Sequence, residues 1–210
     1  FIVVPLFLIV YYAFTHTGFN GAEFTLENFR RVFQPVYMKV LWRSVKLAVI
    51  STAVCLLVGY PAALIMAGNA FSRKNTIIML FVIPMWMNFL LRTYAWLTLL
   101  ERSGFVNQLL AKIGLPALNI LYTDSAVVLG MVYNFLPFMI LPIYSVLSKI
   151  DRGVLEAAAD LGANKVVTFS RVILPLSLPG VISGITMVFM PALTTFVISR
   201  LLGGGQYTLV

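Results

Sequence analysis

EAAADLGANKVVTFSRVILP, residues 156–175, breaks an otherwise greasy chain with an alanine-rich, charge-dotted segment that has a Gly in its middle and a Pro at its end. Local chemistry gives the segment a shape. Asp151 is suited to cap a short helix over 154–161, because its side chain can accept from the free amides of a first turn. Gly162 can end that helix in the left-handed conformation. Asn164 can cap a second helix over 165–173, which Pro175 is expected to stop. On the first helix Val154, Ala158 and Leu161 share one face by their spacing, and Glu156 and Asp160, four apart, share another. The alanines leave a smooth surface that another protein can approach closely. The plainer alternative is an amphipathic connector lying on a bilayer surface.

The flanking sequence implies that bilayer. Of the 210 residues 60% are hydrophobic and 10% charged, with a mean hydropathy of +0.96, whereas a soluble domain carries about a quarter charged residues. The charges cluster between nearly charge-free runs of roughly twenty residues, the length that crosses a bilayer as a helix. Spans are expected near 44–67, 76–100, 125–147 and 176–198, after a first apolar run that ends near Phe14 and is short for a crossing. Pro61, Pro137, Pro142, Pro179 and Pro191 lie inside these spans, which is tolerable where neighbours or cavity water satisfy the freed carbonyl. The first loop is expected to hold a short helix over 26–33, and the loop after Leu100 an amphipathic one over 106–113, stopped by Gly114 and Pro116. The fold class that follows is all-α, a polytopic transmembrane helical bundle.

A net charge of +8 does not point to nucleic acid, because the basic residues are spread along the chain where Lys and Arg flank spans. Nor does it set orientation. Arg30, Arg31, Lys39, Arg43, Lys46, Arg102 and Lys112 on the first and third loops balance Arg73, Lys74, Lys149, Arg152, Lys165 and Arg171 on the second and fourth. The single Cys55 and single His16 can form neither an internal disulfide nor a usual metal site, and Cys55 in an apolar run reads as packing. The chain has no GxxxxGK[ST] phosphate loop, so any ATP it depends on is bound by another polypeptide. It opens without Met on a short apolar run and stops at GGGQYTLV, so 1–210 reads as one transmembrane domain cut at both ends. A signal peptide is the competing reading of the start, without a basic n-region or cleavage pattern to support it.

Glu156, Ala157 and Ala158, then Gly162, then Val172, Leu174 and Pro175 follow EAA-x3-G-x9-I-x-L-P with one apolar β-branched exchange, Val172 for Ile. This resembles the EAA motif of the membrane subunits of binding-protein-dependent ABC importers. GYPAALIMA (59–67), IPMWMNFLLRTYAWLTLL (83–100) and VVLGMVYNFLPFMILPIYSVLSKID (127–151) look like the polyamine-type, PotB-like branch that imports spermidine and putrescine. The resemblance implies a type I ABC importer permease fold of six spans, about five of them present, in a bacterial inner membrane. It implies that 148–175 is a cytoplasmic coupling loop, docking on an ATPase dimer through Glu156, Ala157, Ala158, Asp160, Gly162 and Ala163. It further implies a second related permease in a heterodimer, an extracytoplasmic substrate-binding protein, and surrounding lipid. This chain would then perform no covalent chemistry and hold no cofactor, ATP and Mg²⁺ residing on the partner ATPase.

Candidate path residues are Asn88, Arg92 and Trp96, expected on one face of the 76–100 span, then Tyr133 and Asn134 within 125–147, and Thr194 in the last span. Polar side chains in a bilayer tend to face a bundle interior or a water-filled cavity. The competing readings are an Asn134 that bonds a neighbouring helix and an Arg92 that snorkels to the interface. A polycation's route should not display an unpaired positive charge, and no acidic residue lies deep in a span; Glu101 and Asp124 stand near span ends. Aromatic faces at Trp86, Tyr94, Trp96 and Tyr133 can attract cations instead. Import of another small solute by the same machinery remains open. An ATP-independent secondary transporter predicts deep ionisable residues and inverted repeats, and a membrane enzyme predicts a His-rich or paired-carboxylate set in the spans; the sequence displays none of these.

Overall fold

A computed structural model of the chain describes residues 3–18, 21–26, 28, 30, 33–68 and 74–203. It divides into two units, Phe1–Arg43 and Ser44–Val210. In the first, α1 (Val3–Phe14) leads into an antiparallel hairpin of β1 (Thr15–Gly18) and β2 (Gly21–Phe24), with Thr15 opposite Phe24. The rings of Phe14 and Phe24 stack with centroids 5.6 Å apart. Asn28 reaches back to donate to the carbonyl oxygens of Tyr12 and Ala13. Twelve residues make the described α1 shorter than the roughly twenty that cross a bilayer as a helix. The helix expected over 26–33 falls largely outside the described residues.

Helix α2 (Pro35–Ala67) carries the chain into the second unit. It starts at Pro35 rather than near Ser44, since a proline suits the first helical turn, where its missing N–H has no bond to make. Then come α3 (Lys74–Trp86), α4 (Phe89–Leu100), α5 (Phe105–Lys112) and α6 (Asp124–Leu147). The last stretch holds α7 (Arg152–Asp160), α8 (Lys165–Thr168), a π turn (Phe169–Ile173), α9 (Leu174–Thr194) and α10 (Phe196–Leu202). Among the described residues three continuous helical stretches are long and apolar enough to cross a membrane: Pro35–Ala67, Asp124–Leu147 and Lys165–Thr194.

Two expected spans are broken. The 76–100 stretch divides into Ile78–Trp86 and Phe89–Lys112, bent by 99°. Pro84 withholds one amide from the ladder, Met87 N turns back to Pro84 O at 3.2 Å, and the Asn88 side chain caps the new helix by accepting from Leu90 N at 2.8 Å. The last span ends at Thr194, and Thr195, in an extended conformation, separates it from α10.

Lipid tails are as apolar as leucine, so burial alone does not hold such helices together; close van der Waals packing does. Helix α9 lies along α6 through Gly180 and Gly184. A Cβ on Gly180 would stand 3.0 Å from Pro142 O and 3.1 Å from Ile143 Cα, and one on Gly184 2.8 Å from Met139 Sδ. From the other side Gly59 of α2 faces the same fully buried Met139, with 3.0 Å between a Cβ there and Met139 Cγ. Ser51 of α2 donates to Met131 Sδ at 3.4 Å, and Cys55 is wholly buried against α6 with Sγ 3.9 Å from Val132 O. Gly130 of α6 receives Ile198 and Leu202 of α10. Outward-facing Leu57 and Ile182 remain exposed, as lipid contact allows.

The 101–123 loop is tied by side chains, and Arg102 Nε donates to Asn119 Oδ1 across it at 3.2 Å. Asn107 on α5 is buried, donates to Glu101 O at 3.0 Å and Leu118 O at 3.1 Å, and accepts from Leu118 N at 2.7 Å. Gly114 (φ +74) closes α5 with Gly114 N to Ala111 O and Leu115 N to Leu110 O, as the turn signal predicts. Asn107→Ala removes the partner of three part-buried backbone groups and is expected to cost about 2 kcal/mol. The thermal unfolding midpoint of the full-length protein in detergent should fall accordingly.

Candidate functional site

The 148–175 segment forms two capped short helices, as its composition suggests. Asp151 accepts from Gly153 N at 3.0 Å, and Asn164 accepts from Val167 N at 2.9 Å. Gly162 has φ +77, its N–H donates to Ala159 O at 2.9 Å, and Ala163 N–H donates to Ala158 O at 3.0 Å, the paired bonds of a left-handed helix stop. A Cβ on Gly162 would meet nothing within 4 Å, so the glycine is required by backbone conformation and not by crowding.

Two expectations about this segment are corrected. The second helix does not stop at Pro175 but runs on into α9. The chain widens into the π turn just ahead of the proline, where Leu174 N donates to Phe169 O, and so continues past a residue that has no N–H to give. The apolar face of α7 is also narrower than its spacing suggests. Ala158 is buried and Leu155 half-buried, whereas Val154 is exposed and Leu161, past the helix end, is 89% exposed. Glu156, Ala157, Asp160 and Gly162 are exposed with it, and Ala163 is half-buried. Among the described residues, the outer side of this corner is thus a bare leucine beside a glycine and two carboxylates.

The path candidates separate. Asn88 does not share a helix face with Arg92 and Trp96, because it caps α4. Arg92 is nine-tenths buried and its Nε has no hydrogen-bond partner among the described residues, so it does not snorkel freely into solvent. Asn134 is sealed inside the bundle, donating to Gly130 O at 2.8 Å while its Oδ1 stands buried without a partner among the described residues. Thr194 donates to Met190 O within its own helix at 3.2 Å. Trp96 and Tyr133 do come together, edge to face with centroids 5.3 Å apart. They line a cavity of about 580 Å³ between α2, α4 and α6 that also takes in Lys46, Asp124 and Ser125. Sequence reasoning set Asp124 aside as a span-end residue and did not pair it with this cavity, since nothing local reports that the end of α6 faces α2.

Residues 59–210 match the family model of the binding-protein-dependent transport system inner membrane component. The chain belongs to this family. It is 41% identical, over its whole length and 75% of the relative's, to the spermidine/putrescine transport system permease protein PotB of Haemophilus influenzae. With PotB of Escherichia coli it shares 38% identity over its whole length and 78% of that protein. A crystal structure of a bacterial alginate ABC transporter, in complex with an alginate pentasaccharide-bound periplasmic protein, superposes with a TM-score of 0.70 at 18% identity. The match covers 84% of this chain and 64% of that one, and establishes the shared fold. The family assignment makes this an inner-membrane, multi-pass ABC importer permease, a transport subunit. As an inner membrane component it has apolar outer helix faces that meet lipid or other subunits.

Proposed function

We propose that this permease imports polyamines, driven by a separate ATPase. The observation that carries the substrate class is whole-length identity of 41% and 38% to two permeases named for spermidine and putrescine. The cavity agrees in chemistry: the Trp96–Tyr133 pair offers aromatic faces to an alkylammonium chain, and the Asp124 carboxylate lies at its wall. Residues 148–175 are the cytoplasmic coupling loop. Glu156, Ala157, Asp160, Gly162 and Ala163, with Leu161, form its docking corner on an ATPase dimer that binds ATP and Mg²⁺. Ala158, expected in the same set, is buried and supports the corner from within this chain. A related permease completes the membrane core as a heterodimer, and an extracytoplasmic binding protein delivers the solute. ATP-driven closure of the ATPase pair moves the loop and switches the access of a central path. Asn88, Arg92, Asn134 and Thr194 are the further candidates for contact with the solute.

Labelled spermidine uptake tests the reading in cells that lack their own polyamine importers and carry the complete transporter. Uptake is expected with the native chain, and Trp96→Ala should raise the KM for uptake about fivefold, the worth of one cation–π contact. No spermidine or putrescine uptake, with the complex assembled, would overturn the substrate class. The positive charges of Lys46 in the cavity and of Arg92, four residues before Trp96, favour a second reading, import of another small solute. Competition of labelled uptake by unlabelled neutral and anionic solutes decides between them.

A further inference from the structure

Tyr60 on α2 joins three elements that the docking reading makes important. Its hydroxyl oxygen lies 2.9 Å from Ser177 Oγ on α9, and its ring meets the Phe169 ring edge-on with centroids 6.0 Å apart. Ser177 is fully buried and donates to Leu174 O at 2.9 Å. A serine has one hydroxyl proton, so with that proton on Leu174 O it is Tyr60 that donates to Ser177. Leu174 is also the residue whose N–H closes the π turn on Phe169 O. Tyr60 therefore grips both ends of that turn: its first residue through the rings, and the residue just past its last through Ser177. The neighbouring Pro61 withholds an amide from the α2 ladder, so the helix is easiest to bend beside the grip.

We propose that Tyr60 is a positioning residue for energy coupling. A π turn holds one residue more per turn than an α-helix and can relax to α geometry, which would absorb a push arriving from α7 and α8. By holding both ends, Tyr60 keeps the turn in register and passes that push to α2 and α9 together. The proposal rests on the reading of 148–175 as the docking loop.

The full-length transporter, reconstituted in proteoliposomes with ATPase, partner permease and binding protein, gives the ratio of labelled spermidine imported to ATP hydrolysed. Tyr60→Phe removes only the hydroxyl and keeps the ring. The expected result is a ratio about fivefold lower, the effect of one lost hydrogen bond, at an unchanged rate of ATP hydrolysis. Ser177→Ala should do the same, the double variant should be no worse than either, and Ser177→Thr should restore the ratio. A native ratio in Tyr60→Phe, uptake and hydrolysis falling together, or additive effects of the two substitutions overturns the proposal. Gly162→Asp run in parallel separates the readings. Normal uptake there overturns the docking assignment, whereas a defect there beside a native ratio in Tyr60→Phe overturns the grip alone.

Discussion

Gly162→Asp is expected to lower uptake by the assembled transporter roughly thirtyfold while the permease itself still folds and inserts. The backbone there is left-handed at φ +77, which aspartate tolerates better than most side chains. Apart from its chain neighbours, no atom of the described residues lies within 4 Å of the added Cβ, so the permease alone has little reason to object. What changes is the proposed docking corner: a third carboxylate beside Glu156 and Asp160, and a side chain next to the bare Leu161. Loss of one central interface contact is worth about 2 kcal/mol, hence the roughly thirtyfold figure. Co-purification with the ATPase should weaken in step. Gly162→Ala adds bulk without charge and should fall between the two.

Gly180→Leu is expected to do the reverse, weakening the fold itself. Where Gly162 faces open space, Gly180 presses on backbone, with Pro142 O and Ile143 Cα at 3.0 and 3.1 Å from an added Cβ. Backbone cannot swing aside as a side-chain end can, so α6 and α9 must separate to admit any larger residue. Overpacking of this kind costs about 3 kcal/mol, which should lower the unfolding midpoint in detergent by roughly 10 °C. Gly184→Ala is the milder case, since the nearest atom there, Met139 Sδ, belongs to a flexible side chain and the nearest backbone atom, Met139 O, stands farther off at 3.2 Å. It should shift the midpoint by much less. An unchanged midpoint for Gly180→Leu would mean that α6 and α9 do not pack in this register.

These two glycines also mark what a sequence can and cannot tell. The caps at Asp151 and Asn164 and the stop at Gly162 depend on bonds two to five residues long, so they were legible. The break between Trp86 and Phe89 was not, because a hydropathy window reads 76–100 as one apolar run and Asn88 as one more polar residue on its face. The π turn was missed because Pro175 normally signals a stop, and only a neighbouring helix shows the chain passing through it. Pairing of Trp96 with Tyr133, and of Tyr60 with Ser177, depends on how α4 and α9 register on α6 and α2. No local periodicity encodes that register.

The central claim is that this chain moves solute only when a partner ATPase hydrolyses ATP and drives the 148–175 loop. The most direct measurement is accumulation of labelled spermidine in proteoliposomes holding the complete transporter, with ATP or a non-hydrolysable analogue on the ATPase side. The account predicts accumulation with ATP, none with the analogue, and none when a proton gradient or membrane potential is imposed without ATP. Accumulation driven by either gradient in the absence of ATP would contradict it.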